Sequence, residues 1–450
     1  MQASSATVSL ALFVVWLGSF LIVRYLYSLK RLLRPIHEDI TALGVLALMV
    51  AGFFWRTIFE GDVFVPAGGG DLAAFLYPTF AFAASSIKQG ILPLWNPYLY
   101  SGSPFAADIQ SGLFYPINLV AFLLLPEISY KTMEFLAVLH FYIAGITMYF
   151  CLRFLRTGSD RQVGRAGAMI GAIAYMFSDV FIVHLGNLNM IAVAAWLPLV
   201  FLFFHRGLVD KSLPHGAMAG LFLGVALLAG HIQPFLYILL CLALYFVFYV
   251  VADRLRVSGD RGQGSGVESS TQNPNTGPRP LSPVPRQAAV FAVCGLVALG
   301  VSAIQLIPSY ELSQLSVRAD IDYTTSALYS LSPAQLVSLF VPGFFGRGPL
   351  DYWGPWIRTE MGYAGVLTLV SGLVAIVLRR QRETFFFLLL AIFSLSLSLG
   401  GHSLTQGWLY SLGAGFDKLR APARFLFLFD FALAALAGLG IDRIVRPLTH

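Results

Sequence analysis

Long apolar runs separated by short polar turns repeat along almost the entire chain. Runs long enough, or nearly long enough, to cross a bilayer as helices cover Val8 to Tyr27, Thr41 to Phe59, Phe135 to Leu155, Ala166 to Val183, Leu188 to Phe204 and Gly216 to Gly230. Further runs come at Phe235 to Val251, Ala288 to Leu306, Met361 to Leu378, Thr384 to Leu399 and Phe425 to Ile441. The pattern therefore predicts an all-α polytopic transmembrane bundle of about 11 spans. Three polar-rich stretches are too long to be simple turns: 60–134, 307–360 and 400–424. A fourth, 253–286, is rich in Gly, Ser, Pro, Asn and Gln and reads as a disordered linker. It divides the chain into one bundle over 1–252 and a second over 287–450.

Composition sharpens the class. With 57% hydrophobic and 12% charged residues and a mean hydropathy of +0.74, the chain lies outside the range of soluble proteins, where about a quarter of residues are charged. A net charge of +6 does not point to nucleic acid, because the cations are scattered among turns and form no basic face. They follow orientation instead. If Lys30, Arg31 and Arg34 face the cytoplasm and each later span alternates, the clusters Arg153/Arg156/Arg161/Arg165, Arg206/Lys211, Arg254/Arg256/Arg261, Arg379/Arg380/Arg382 and Arg443/Arg446 all fall on the cytoplasmic side. The N-terminus is then outside, the C-terminus inside, and the three long loops lie outside. Cys151, Cys241 and Cys294 sit within apolar runs and suggest neither a disulfide nor a metal site. The first run lacks a preceding basic region and a small-residue cleavage motif, so it reads as a retained helix.

The first outer loop holds the densest polar chemistry. Three glycines precede Asp71, after which Leu72 to Ile87 reads as an amphipathic helix kinked at Pro78. Prolines stiffen the next stretch, and Trp95, Tyr98, Tyr100, Phe105 and Tyr115 suit a membrane–water boundary. Asp108 stands further along the same loop. Together with Asp71 it forms a general base and its partner, or a pair of ligands for Mg²⁺ or Mn²⁺. The plainer readings are a helix cap for Asp71 and a turn residue for Asp108. Trp95, Asn96 and Gln110 are candidate substrate contacts in the same segment. Leu113 to Pro126, apolar but short, predicts a surface or re-entrant helix.

Other outer positions add candidates. Glu311 closes QLIPSYE, where Pro308 ends the preceding span, with Arg318 seven residues on; the pair reads either as a carboxylate and cation facing the first loop or as a solvated ion pair. DKLRAPAR, 417–424, brings Arg420 and Arg424 next to the last span. Guanidinium groups there suit a phosphate, or simply anchor lipid headgroups. His184, with Asn187 and Asn189, and His231, with Gln233, occupy short outer turns and are candidate ligand contacts. His140 in mid-span reads as a residue satisfied by a neighbouring helix. Asp430 stands inside the last span, with Arg420 or Arg424 available to neutralise it.

GGGDLAAFLYP, GILPLWNPYLYSGSPFAADIQSGLFYPIN, QLIPSYELSQLSVR and LRAPARFLFL together resemble the YfhO-like bacterial membrane proteins, which are related to the GT-C glycosyltransferases. The resemblance runs from about Thr41 onward, and the family is usually longer at its C-terminus. It implies a GT-C-type bundle in the bacterial cytoplasmic membrane, with outer loops carrying surface helices. It further implies an enzyme that transfers a sugar, with inversion, from a polyprenyl-phosphate donor to a cell-surface glycan, polymer or lipid acceptor. By the same resemblance the first-loop acid is Asp71, the glutamate after a proline is Glu311, and the RxPxR arginines are Arg420 and Arg424. A polytopic transporter or a lipid or glycolipid flippase is the competing expectation, since many apolar spans with few charges suit it as well.

Overall fold

The structure is a computed structural model that describes residues 34–61, 63–66, 69–157, 162–263, 284–315, 321–346, 353 and 362–446. Helices make up most of it, with almost no sheet. Those that carry the argument are α1 (Arg34–Phe53), α2 (Tyr77–Lys88), α3 (Pro116–Leu124), α4 (Tyr130–Phe154), α5 (Arg165–Met176), α6 (Asp179–Val183), α7 (Leu188–Ala194) and α8 (Leu197–Val209). They continue with α9 (Leu213–Leu228), α10 (Ile232–Gln263), α11 (Val284–Gln314), α12 (Val366–Leu378), α13 (Arg382–Ser398), α14 (Leu404–Ser411) and α15 (Leu426–Val445). A two-stranded antiparallel ribbon, β1 (Trp95–Asn96) with β2 (Ser103–Pro104), interrupts the first long loop.

Every span expected from Thr41 onward falls on helix, and the expected span Val8 to Tyr27 lies outside the described residues. Among the described residues, seven segments are both long and apolar enough to cross a membrane. The count of eleven is not reached among the described residues, because α9, α12 and α13 have 16, 13 and 17 residues. A helix of 13 residues rises only about 20 Å, short of a hydrocarbon core of about 30 Å. The segment expected as a linker is helical at its edges: α10 continues to Gln263 and α11 begins at Val284, while 264–283 lie outside the described residues.

α15 is the central helix. It is buried along most of its length and packs against α5, α12 and α13, so helices from before and after 264–283 share one core. Glycine permits the closest approach. A Cβ added to Gly438 of α15 would stand 2.8 Å from the Gly167 carbonyl oxygen of α5 and 2.6 Å from Leu152 Cδ1 of α4, so only a hydrogen fits at this crossing.

The polar residues sort to two opposite ends. At one end Arg165 Nε pairs with Asp39 (2.8 Å), Arg156 with Asp210 (2.6 Å), and Arg379 Nη1 with Asp442 (2.8 Å), which also accepts from the Gly164 N–H (2.7 Å). At the other end the long loops lock together. Lys131 and Glu134 of α4 clamp the loop segment 63–65: Glu134 Oε1 accepts from the Val65 N–H (2.6 Å), and Lys131 Nζ donates to the Val63 carbonyl. Gln305 and Ser309 of α11 donate to the carbonyls of Ala106 (3.0 Å) and Ala107 (2.7 Å).

Candidate active site

Asp71 emerges from the triple glycine with an exposed side chain and right-handed helical backbone (φ −61°, ψ −27°), and it makes no side-chain cap bond. The cap reading therefore fails, since a capping residue needs extended backbone and a bonded oxygen. A π-turn over Leu72–Leu76 comes next and runs into α2. Pro78 brings no N–H to a helical bond, so the turn before it widens. No hydrogen bond or ion pair among the described residues uses the Asp71 carboxylate.

Asp108 and Asn96 serve the loop backbone. Asp108 Oδ1 accepts from the Gln110 N–H (2.9 Å) and starts a short 3₁₀ turn at Ile109–Ser111, and Asn96 Oδ1 accepts from the Tyr98 N–H (2.9 Å). Gln110 is bound through its carbonyl, which accepts from Asn189 Nδ2 (2.7 Å) beside Gly230. Trp95 is 55% exposed, with its ring against Gly102, where an added Cβ would come within 2.7 Å of it. Asp71 and Asp108 are joined by no bond, and among the described residues no three His, Cys, Asp or Glu side chains cluster to hold a metal.

Glu311 is exposed on α11, which does not stop at Pro308 as expected but continues to Gln314. A proline in a bilayer-spanning helix is tolerated where neighbours satisfy the freed backbone. Arg318 lies outside the described residues. His184 is buried and its Nδ1 donates to the Val180 carbonyl (3.0 Å), while His231 Nδ1 accepts from the Gln233 N–H (3.3 Å). His140 is satisfied as expected. Its Nδ1 donates to the Leu136 carbonyl (2.6 Å), which leaves Nε2 to accept from the Tyr115 hydroxyl (2.9 Å), and Trp196 Nε1 donates to that hydroxyl in turn (2.9 Å). Burial raises the Tyr115 phenol above its ordinary range, so it stays protonated and keeps that donor role.

The strongest convergence is at the start of α15. Gln233, buried at the head of α10, spends its whole amide on fixing the arginine motif. Its Nε2 donates to the Arg420 carbonyl (2.6 Å) and to the Tyr237 hydroxyl (2.6 Å), and its Oε1 accepts from Arg424 Nη1 (2.8 Å). Tyr237 stacks on Phe425 at 4.0 Å between ring centroids. Ala421, between the two arginines, has φ +61°, a strained position for a residue with a Cβ and one associated with sites that hold an exact shape. Tyr237, Arg420, Phe425, Gln406 and Tyr410 line a narrow pocket of about 10 Å³. The Arg420 side chain is exposed at its mouth.

Deeper on the same face of α10, at offsets of seven and eleven residues from Tyr237, Leu244 and Phe248 line an apolar groove of about 420 Å³ against α13. That volume is within the range of about 300–1,000 Å³ usual for ligand pockets. Leu389 and Ile392 of α13, which border the groove, are 41% and 58% exposed, so it opens sideways where bilayer would lie. A cation-bearing pocket and a greasy lateral groove thus stand one above the other, about 10 Å apart along α10.

Asp430 is not neutralised by Arg420 or Arg424. It is fully buried; Oδ2 accepts from the Val180 N–H (3.2 Å), and Oδ1 has no hydrogen-bond partner among the described residues. Its charged neighbour is Asp179, whose Oδ2 accepts from the Gly362 N–H (3.1 Å). Asp179 went unnoticed in the sequence, although an acid inside the expected span Ala166 to Val183 is the signal that reveals such a site.

Among known families, the model described as bacterial membrane protein YfhO matches the chain over residues 42–447. No curated protein matches the chain.

Proposed function

Because the chain belongs to the YfhO family of bacterial membrane proteins, we propose that it is a GT-C-type membrane glycosyltransferase taking sugar from a polyprenyl-phosphate donor. The observation that carries this reading is the stacking of the arginine pocket over the apolar groove along α10. A lipid-linked sugar phosphate has that division of chemistry: an anionic head that an arginine suits and a long hydrocarbon tail that needs an apolar channel. In this reading the end rich in paired arginines faces the cytoplasm, as short basic loops do. The pocket then opens outside, and the eleven-span count is completed by α9, α12, α13 and the N-terminal run.

The chemistry is a direct displacement. Asp71, whose carboxylate is bonded to no other group among the described residues, takes the proton of an acceptor hydroxyl as its oxygen attacks the anomeric carbon. General-base assistance of this kind contributes about 10²- to 10⁴-fold. The bond from that carbon to the phosphate oxygen breaks, the electron pair leaves with the lipid phosphate, and the anomeric centre inverts. Arg420 and Arg424 meet the growing negative charge, with Gln233 fixing their geometry. Asp108 and Gln110 shape the loop, Trp95 and Asn96 border the acceptor side, and Glu311, His184 and His231 rim the same end.

Purified protein incubated with labelled polyprenyl-phosphate sugars is expected to release the carrier, and Asp71→Asn to abolish release at unchanged membrane abundance. Full release by Asp71→Asn removes that residue from the mechanism. The buried pair Asp179/Asp430 favours a second reading, a flippase or transporter, since such proteins place ionisable groups within the bundle. Movement of labelled lipid across liposomes without cleavage would select it.

A further inference from the structure

α14 is a short helix without a charged residue, LTQGWLYS, between α13 and α15. Its two faces differ sharply. Gln406 and Leu409 are 5% and 8% exposed and form the wall of the Arg420 pocket, whereas Leu404, Trp408 and Leu412 are 75%, 66% and 75% exposed. The last three recur every four residues, so they make one continuous outward stripe along the helix and just past its end.

The depth of this stripe is fixed by hydrogen bonds. Ser403 Oγ donates to the Ser396 carbonyl (2.7 Å), and the Thr405 hydroxyl is bonded to those of Ser396 (3.0 Å) and Ser403 (2.9 Å). The first turn of α14 is therefore held level with the last turn of α13. On α13, Phe385, Leu389 and Ile392 are exposed along one face of an apolar helix, the surface such a helix turns to lipid. Thr405 borders the same groove as Leu389 and Ile392. The outward stripe of α14 thus continues the lipid-facing surface of α13 around the mouth of the groove.

We infer that α14 lies in the membrane plane at this end of the bundle, with Leu404, Trp408 and Leu412 in the boundary between headgroups and acyl chains, and forms the lipid-side rim of the Arg420 pocket. Its partner is the bilayer itself. Trp at that depth suits the ring's apolar body and single N–H donor, and an uncharged helix with one broad apolar stripe has no need of a cationic face to hold it there. The inference does not depend on sugar transfer.

The test is spin-label depth measurement on full-length protein in phosphatidylethanolamine–phosphatidylglycerol nanodiscs holding one copy each. Single cysteines replace Leu404, Trp408, Leu412 and, as the aqueous reference, the exposed Lys418. The native Cys151, Cys241 and Cys294 are buried and do not compete for label. Labels at the three stripe positions are expected to show several-fold higher ratios of oxygen to nickel-chelate accessibility than the label at 418. Ratios equal to that at 418 overturn the inference, as do labels shielded from both reagents, which would place protein rather than lipid against the stripe. Neither reading uses donor or acceptor, so a protein without transferase activity can still pass or fail.

Discussion

Gln233 is the residue on which the arginine site turns, and Gln233→Leu isolates its contribution. The change keeps similar volume while removing two donated hydrogen bonds, to the Arg420 carbonyl and the Tyr237 hydroxyl, and one accepted from the Arg424 guanidinium. A neutral hydrogen bond contributes about 0.5–1.5 kcal/mol net and one to a charged group about 1.5–3 kcal/mol. Interhelical bonds in a bilayer fall at the low end of such ranges, near 0.6 kcal/mol on average. The expected loss is therefore about 2–4 kcal/mol, measured by denaturant-induced unfolding in mixed micelles. Gln233→Glu should lose less, since a carboxylate still accepts from Arg424 and loses only the donated bonds. An unfolding free energy for Gln233→Leu within about 0.5 kcal/mol of wild type, the spread of an ordinary surface substitution, would refute the reasoning.

The packing supplies two further perturbations. Gly438→Ala forces a methyl group against the Gly167 carbonyl and Leu152 and should cost about 1–3 kcal/mol, read as a lower melting temperature in detergent with the helix content unchanged. At the opposite end Asp442 is shared by Arg379 (Nη1, 2.8 Å) and Arg446 (Nε, 2.8 Å), so Arg379→Met leaves the carboxylate one cation and should cost about 1.5–3 kcal/mol, the worth of a hydrogen bond to a charged group, read in the same assay.

The spans were legible because an apolar run facing lipid or core needs no tertiary information, and α4, α10 and α15 lie where the pattern placed them. Their exact reach was not. Pro308 reads as a stop when only the local sequence is considered, yet α11 passes through it, because Gln305 and Ser309 anchor the helix to the first loop on either side. Asp71 stood out from the glycines before it, but that its side chain bonds to nothing among the described residues did not, since a capping acid and an unbonded one share one sequence pattern. The bond from Gln233 to Arg424 joins residues 191 apart, and no local period could disclose it. Asp179 and Asp430 meet only because α5 and α6 pack on α15, which turns two isolated acids into neighbours.

A pocket of about 10 Å³ has room for roughly one water, so the headgroup of the proposed donor, or any ligand of that size, enters only if a wall moves. The α10–α15 side is held by the three bonds of Gln233 and by the stacking of Tyr237 on Phe425. The opposite wall, α14, is bonded through Gln406 to Ser326 (3.0 Å) and through Tyr410 to the Ile321 carbonyl (2.8 Å). Those bonds survive if α14 and 321–326 shift as one piece, a shift opposed by the bonds of Ser403 and Thr405 to Ser396 of α13, whereas parting α10 from α15 breaks the Gln233 bond that orients Arg424. Moving α14 is therefore the separation that leaves the Gln233–Arg424 bond in place, and it opens the pocket on the side of the apolar groove, which Thr405 borders.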